Sequence, residues 1–295
     1  MTKPMTGILT PAQSSSATLH VAEAEPGKTP LLLRLQRNPF VNTIVKRFGL
    51  HRLADVMLGF RPLVKRTPGG LQYHLRSVAS VVAAKEIFET GIYRDPLRGE
   101  AIRRFVDLGC NVGFFPILLS ELTGTRDLKG LMIDGNRTVL EEAEAHMQTN
   151  GLDGVEVILG LAGFSDTQEQ ADFLINPSSH IASTATGRLN PDVPSAGRSV
   201  RVTVPCINVE QAWKQRFGDA PVDLLKVDIE GMELELFHNA PALLMRSSRV
   251  LFEWHKWQVS IADCTAALVA AGFEKPATVW EDTRHGLAYC RRRTA

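Results

Sequence analysis

Ionisable residues stand at alternate positions in two apolar runs in the second half of the chain. The first, VDLLKVDIEGME, carries Lys226, Asp228 and Glu230 two residues apart. The second, FEWHKW, carries Glu253 and His255 at the same spacing. In a strand that period puts each set on one face, and charges on a buried strand are costly unless they serve a purpose. Five such groups converging at neighbouring strand ends suit proton transfer. His255 is the preferred general base, oriented by Glu253 or Asp228, because imidazole is the side chain most easily poised near neutral pH. Asp228 is the second choice. Lys226 would neutralise the neighbouring acids, and Glu230 would bind a substrate hydroxyl or cap a helix beginning at Gly231. A purely structural ion-pair network is the alternative for the whole cluster. Asp228, Glu230, Glu253 and His255 would also suit magnesium or manganese. Lys226 already supplies positive charge there, so a divalent metal is not favoured and no metal ligand is assigned.

The second chemical signal is FVDLGCNVGFF at 105–115, a buried strand ending at an acid, then a loop of small residues, then a helix start. Gly109 and Gly113 would let the backbone approach a ligand at the carboxyl end of the first strand, where open α/β sheets bind their ligands. The spacing is D-x-G-x-x-x-G, not the dinucleotide G-x-G-x-x-G. Asp107, so close to the loop, would repel a pyrophosphate and suit a cationic or zwitterionic ligand. The next strand ends in LMIDGN, which places Asp134 to accept from two ribose hydroxyls. Together these favour S-adenosylmethionine, a nucleoside without phosphates. The expected cofactor contacts are Asp107, Gly109, Cys110, Asn111, Gly113, Phe114, Asp134, Gly135 and Ala162. Phe114, Phe115 and Trp254 would offer aromatic faces to a sulfonium, or serve as core.

These residues resemble the FkbM family of S-adenosylmethionine-dependent methyltransferases. The likeness is carried by DLGCNVGFF at 107–115, LLKVDIEGMELELF at 224–237, Glu253-Trp254-His255, and the lead-in EIFETGIY at 86–93. It covers roughly residues 70–290, and the KxDxEGxE block is its most specific part. Cys110 stands where the family usually has Ala, Asp134-Gly135 where Glu-Pro is usual, and Asn208-Val209-Glu210 where Thr-Leu-Asp is usual. The resemblance implies O-methylation of a hydroxyl on a sugar, as in a glycan or glycolipid, or on a natural product. The alternatives are a nicotinamide-dependent oxidoreductase on a similar sheet and a non-catalytic S-adenosylmethionine-binding module.

The elements that must position these groups follow from the alternation of short apolar runs with amphipathic segments. Strands are expected at 104–108, 131–134, 155–159, 222–228 and 250–254, helices at 138–150 and 262–271, and a terminal hairpin at 277–281 and 286–291. The fold class is therefore α/β: a Rossmann-like, seven-stranded class I methyltransferase sheet, mostly parallel with a terminal antiparallel hairpin. The expected divisions are a flexible tail at 1–30, a basic helical extension at 31–70, and the methyltransferase domain at 71–295. Within the extension, helices are expected at Asn38–Phe48 and around Leu53, Val56, Met57 and Phe60. Residues 176–199 read as a substrate-facing lid holding His180. His285, in the final hairpin turn, reads as solvated surface.

Across 295 residues the formal charge is only +1, which gives no general argument for nucleic-acid binding. Residues 31–66, however, hold eight Lys/Arg against the single acid Asp55. That segment could touch an anionic membrane surface or an anionic substrate, although packing of its apolar stripe on its own domain is the preferred reading. The four cysteines form no CxxC pair. With no apolar run long enough to span a membrane and no signal peptide core at 1–30, the expected compartment is the cytoplasm.

Overall fold

The computed structural model describes residues 50–175 and 199–294. The expected tail, the Asn38–Phe48 helix, His180 and nearly all of the expected lid lie outside those residues. The chain divides into two compact units at residues 50/51. Apart from Leu50, every element below belongs to the second.

Seven strands form the central sheet: β3 (Arg104–Leu108), β4 (Lys129–Asp134), β5 (Val155–Leu159), β8 (Leu224–Val227), β9 (Arg249–His255), β10 (Ala277–Glu281) and β11 (His285–Arg291). Their spatial order is β10-β11-β9-β8-β3-β4-β5, and β11 runs antiparallel to both of its neighbours. The other pairings are parallel. The chain starts in the middle at β3, moves outward through β4 and β5, and returns to the other side of β3 at β8. That reversal leaves a crevice at the carboxyl ends of β3 and β8, where open sheets take their ligands. The expected seven-stranded sheet with its terminal antiparallel pair is what the chain forms.

Helices cover both faces. On one lie α2 (Val78–Phe88), α3 (Phe114–Thr123) and α4 (Arg137–Asn150), with Phe105, Phe115, Leu118, Met132 and Leu251 in the core between. On the other lie α5 (Val209–Phe217), α6 (Glu233–Asn239), α7 (Pro241–Arg246) and α8 (Ile261–Ala270), enclosing Val106, Leu225, Trp213, Phe252 and Leu268. Local chemistry sets the helix ends. Asn136 caps α4 by accepting from the Thr138 N–H, and Gly151 closes it in the left-handed conformation. Ser260 caps α8 in the same way as Asn136 caps α4. α2 was not anticipated: VASVVAAKEIF is apolar nearly all round, so it lacks the one-sided stripe that marks a helix in sequence.

The described part of the expected helical extension, residues 50–70, is only partly helical. α1 (Leu50–Phe60) is followed by the antiparallel pair β1 (Leu63–Arg66) and β2 (Gln72–Leu75), which straddles the expected 70/71 boundary. This hairpin is fastened to the sheet's helices: Thr67 donates to Glu121 at 2.6 Å, the Gln72 N–H to Asn150 at 2.7 Å and the His74 N–H to His146 at 2.8 Å. Among the described side chains of α1, Val56, Met57 and Phe60, expected to pack inward, are exposed, and Leu58 is buried. A second antiparallel pair, β6 (Gln170–Ile175) and β7 (Val200–Pro205), flanks residues 176–198 and joins the domain through a small core of Leu161, Phe173 and Val204.

Candidate active site

The crevice holds a cavity of about 360 Å³, within the size range of small-molecule sites. Of the residues expected to contact a cofactor, Gly109, Cys110, Asn111, Phe114, Asp134, Gly135 and Ala162 line it. All five expected catalytic residues, Lys226, Asp228, Glu230, Glu253 and His255, line it too.

Asp107 and Gly113 do not. Asp107 is wholly buried beneath the loop, with the Lys226 ammonium 3.0 Å from its carboxylate. A Cβ on Gly113 would lie 2.9 Å from the Met132 methyl and 3.0 Å from Ala143 Cβ, so this glycine lets the loop pack on α4. At Gly109 (φ +72°) a Cβ would fall 1.7 Å from the Asp228 carbonyl oxygen. The sequence assigned both glycines to close approach by a ligand. The protein's own chain makes that approach, although Gly109 also faces the cavity.

Asp134 ends β4 with both oxygens engaged, Oδ1 accepting from the Asn136 N–H at 2.9 Å and Oδ2 from the Asn111 N–H at 3.0 Å. Asn111 reaches this position with φ +49°, a conformation that asparagine tolerates better than most residues. The carboxylate thus fixes the loop while still facing the cavity, with lone pairs left for hydroxyl donors. Burial raises its pKa to about 6. The neighbouring Cys110 thiol is also buried, which holds its pKa well above the usual thiol range and leaves it unreactive.

The ionisable cluster forms differently from simple strand alternation. β8 ends at Val227, so Asp228 and Glu230 lie in the following turn, where Glu230 takes φ +51°. Helix α6 starts at Glu233, so Glu230 does not cap it. Lys226 and Glu253 do share a sheet face, since Lys226 is paired with Leu251. The Lys226 ammonium lies between Asp107 and Asp228, at 3.0 and 3.7 Å, and donates to the Gly109 carbonyl at 3.1 Å. Burial alone would lower its pKa, but the two aspartates hold it above the usual lysine value.

His255 is 2% exposed. Its Nδ1 is 2.8 Å from Glu233 Oε1, and Nε2 faces Glu230 at 3.4 Å, Glu253 at 3.7 Å and Asp228 at 3.9 Å. The orienting carboxylate is therefore Glu233, not Glu253 or Asp228. Glu233 is fully buried and also accepts from the Gly231 N–H. Its signal was present in sequence as the last acid of KxDxEGxE, but it was read as part of a helix.

Sequence reasoning also missed Glu86 and Tyr93. Both line the cavity, and the Tyr93 hydroxyl donates to Glu253 at 3.3 Å. Their signal was the EIFETGIY segment itself. His285, expected on the surface, is half-buried in the cavity wall, 3.5 Å from Glu253. Trp254 points the other way. It is 1% exposed in the core on the opposite sheet face, with its ring 6.3 Å from Phe252, so it offers nothing to a ligand.

Burial crowds these acids into one low-dielectric space and raises Glu86 to about 7, Glu230 to about 8 and Glu253 well above the carboxylate range. Burial also works to lower His255, but Glu233 and Glu230 outweigh it and hold the imidazole well above its ordinary value. The expectation of a histidine poised near neutrality is thus shifted: the surrounding acids make this imidazole hold its proton more tightly than a free one. Ligand atoms of Asp228, Glu253 and His255 lie within 4.8 Å of one another, a spacing that a divalent ion could bridge.

Residues 136–275 match the family model described as a methyltransferase FkbM domain. A search of curated proteins gives no significant match. Among solved structures, the chain is similar to methyltransferase FkbM from Methylobacillus flagellatus, at 15% identity over 67% of this chain and 45% of that one, with a TM-score of 0.44. It is also similar to TrmK of M. capricolum in complex with S-adenosyl-homocysteine, at 11% identity over 70% of each chain and a TM-score of 0.42. A putative tRNA (m1A22) methyltransferase of Streptococcus pneumoniae gives 11% identity over 69% of this chain and 68% of that one, with a TM-score of 0.40. The region matched by the methyltransferase FkbM domain model contains Asp228, Glu230, Glu233, Glu253 and His255.

Proposed function

We propose that this protein transfers the methyl group of S-adenosylmethionine to a hydroxyl of a sugar or natural product. The observation that carries the reading is the Glu233-held imidazole of His255, whose Nε2 enters the same cavity as the 109–111 loop and Asp134.

The cavity fits the cofactor chemically. Asp134 is placed for the ribose hydroxyls, and the glycine-opened backbone of the loop gives access. Bound there, S-adenosylmethionine supplies an electrophilic methyl. An alkyl hydroxyl is a weak nucleophile until its proton has somewhere to go. Glu233 keeps a proton on Nδ1 and the ring in place, so Nε2 is the atom that accepts the acceptor's proton once it has lost its own. Glu230 and Glu253, which face Nε2, lie where they can pass that proton on, while Lys226 pairs with Asp107 below the loop and anchors Asp228. Burial excludes water from the transfer.

Titration calorimetry with S-adenosylhomocysteine tests the cofactor assignment. Micromolar binding that is weakened at least about tenfold by Asp134→Ala is expected, followed by radiolabelled methyl transfer in a screen of hydroxylated sugars and metabolites. Binding of NADH without any S-adenosylhomocysteine signal would replace this reading with hydride transfer. Cofactor binding with no transfer to any hydroxyl would leave a binding module.

The base assignment has a pH signature. Because His255 is held above its ordinary pKa, turnover at saturating cofactor rises as pH increases through and above neutrality. Glu233→Gln removes a charge that raises that pKa, so the rising limb moves to lower pH, while the plateau falls because the tautomer is no longer fixed. A variant profile superimposable on that of the parent protein removes Glu233 from the mechanism.

A further inference from the structure

The exposed part of α1 is not explained by the reaction. Val56, Met57 and Phe60 cluster on one side of this helix at 53%, 60% and 89% exposure, and Val64 on β1 adds a fourth apolar side chain at 50%. Phe60 is the most exposed large apolar side chain among the described residues. Arg61, which follows Phe60 in the chain, and Arg66, on the same face of β1 as Val64, are exposed, whereas Lys65 lies on the other face of that strand. From residue 50 to 66 the sequence holds Arg52, Arg61, Lys65 and Arg66 against one acid, Asp55, whose carboxylate accepts the Val78 N–H at 2.7 Å. The surface therefore joins exposed apolar side chains to an excess of cationic ones.

That hydrogen bond also fixes where α1 sits. Asp55 holds the helix at the amino end of α2, and the next turn of α2 carries Val82, which is 48% exposed and lines the cavity. Glu86 follows one turn later on the same cavity wall. α1 is thus tied to the helix that forms part of the cavity wall.

We propose that the Val56, Met57 and Phe60 face of α1, together with Arg61 and Arg66, docks on an anionic lipid bilayer and holds the cavity mouth near that surface. An apolar helical face flanked by basic side chains combines the two attractions that interfacial helices use: acyl-boundary burial and the negative surface potential. A second copy of the chain is a poorer occupant, because two identical cationic faces repel one another.

The test is cosedimentation of the full chain with vesicles of phosphatidylcholine alone or mixed with phosphatidylglycerol. Binding to the anionic vesicles, weakened by salt, and loss of about tenfold or more in the Met57→Glu, Phe60→Glu double variant are expected. Both side chains are exposed, so the variant should keep its melting temperature and its S-adenosylhomocysteine binding. That retention also separates failure of the docking proposal from failure of the cofactor assignment. Absence of binding to anionic vesicles, equal binding to neutral ones, or undiminished binding by the variant would each overturn the proposal. So would a solution dimer that the variant dissociates, which would give the face to a second copy.

Discussion

His255→Ala lowers turnover by about 10² to 10⁴ fold, the usual worth of a positioned general base, and changes S-adenosylhomocysteine affinity by less than about threefold, under 1 kcal/mol. The asymmetry is expected because Nε2 looks towards the carboxylates of Glu230, Glu253 and Asp228, whereas the loop and Asp134 are held by their own backbone hydrogen bonds. Rapid-quench measurement of methyl transfer, with calorimetry on the same preparation, reads both quantities. Equal losses in turnover and affinity would mean that the imidazole holds the cofactor instead of moving a proton. The rate loss should be largest at high pH, where the parent imidazole is neutral. At low pH the parent is itself protonated, and the two proteins converge.

Lys226→Met should destabilise the fold by about 3–5 kcal/mol, the range for removing one partner of a buried ion pair. That corresponds to a fall in melting temperature on the order of 10 °C for a domain of this size. Met fills the space but leaves Asp107, which is wholly buried, with no cation beside it. The sign with pH follows. Burial already raises Asp107 above its unfolded value against the pull of Lys226, and removing the lysine raises it further. A group with a raised folded pKa favours the native state at low pH and loses that contribution as pH rises through the folded pKa. The deficit in Lys226→Met therefore shrinks in acid and is largest at neutral and alkaline pH. Adding Asp107→Asn to it should recover much of the loss, measured by denaturant unfolding across pH. A deficit independent of pH, or a double variant no better than the single one, would place the energy in lost packing.

The corrected role of Asp107 comes from this pair. In sequence it stands directly before the glycine loop and reads as a ligand contact. In the fold it lies under the loop and pairs with Lys226, which arrives from β8, more than a hundred positions later in the chain. An Asp107 variant should therefore disturb cofactor binding indirectly, through the loop that Lys226 holds at the Gly109 carbonyl.

Much of the architecture could be read from the chain because its signals are local. A buried strand ending in DLGCNVG, helices with Asn or Ser caps and glycine stops, and a hairpin turn after Glu281 each follow from a few consecutive residues and their backbone preferences. Those signals were sufficient for the order and type of the sheet's strands. They failed for α2, which is apolar on nearly all sides, and for β6 and β7, which pair with each other across residues 176–198 and stand outside the central sheet.

The sequence by itself determined which chemical groups are present and roughly which sheet edge they share: Lys226, Asp228 and Glu230 from one strand end, Glu253 and His255 from the next, and Asp134 beside the glycine loop. Only the tertiary structure decided who partners whom. Glu233 rather than Glu253 orients His255, Tyr93 and Glu86 complete the cavity wall, Trp254 faces the opposite core, and Asp107 belongs to Lys226. The reason is physical. Strand alternation fixes the face on which a side chain emerges, but hydrogen-bond pairing depends on tenths of an ångström and on how much water burial removes. Both are set by turns such as the one at Glu230 and by elements far apart in the chain.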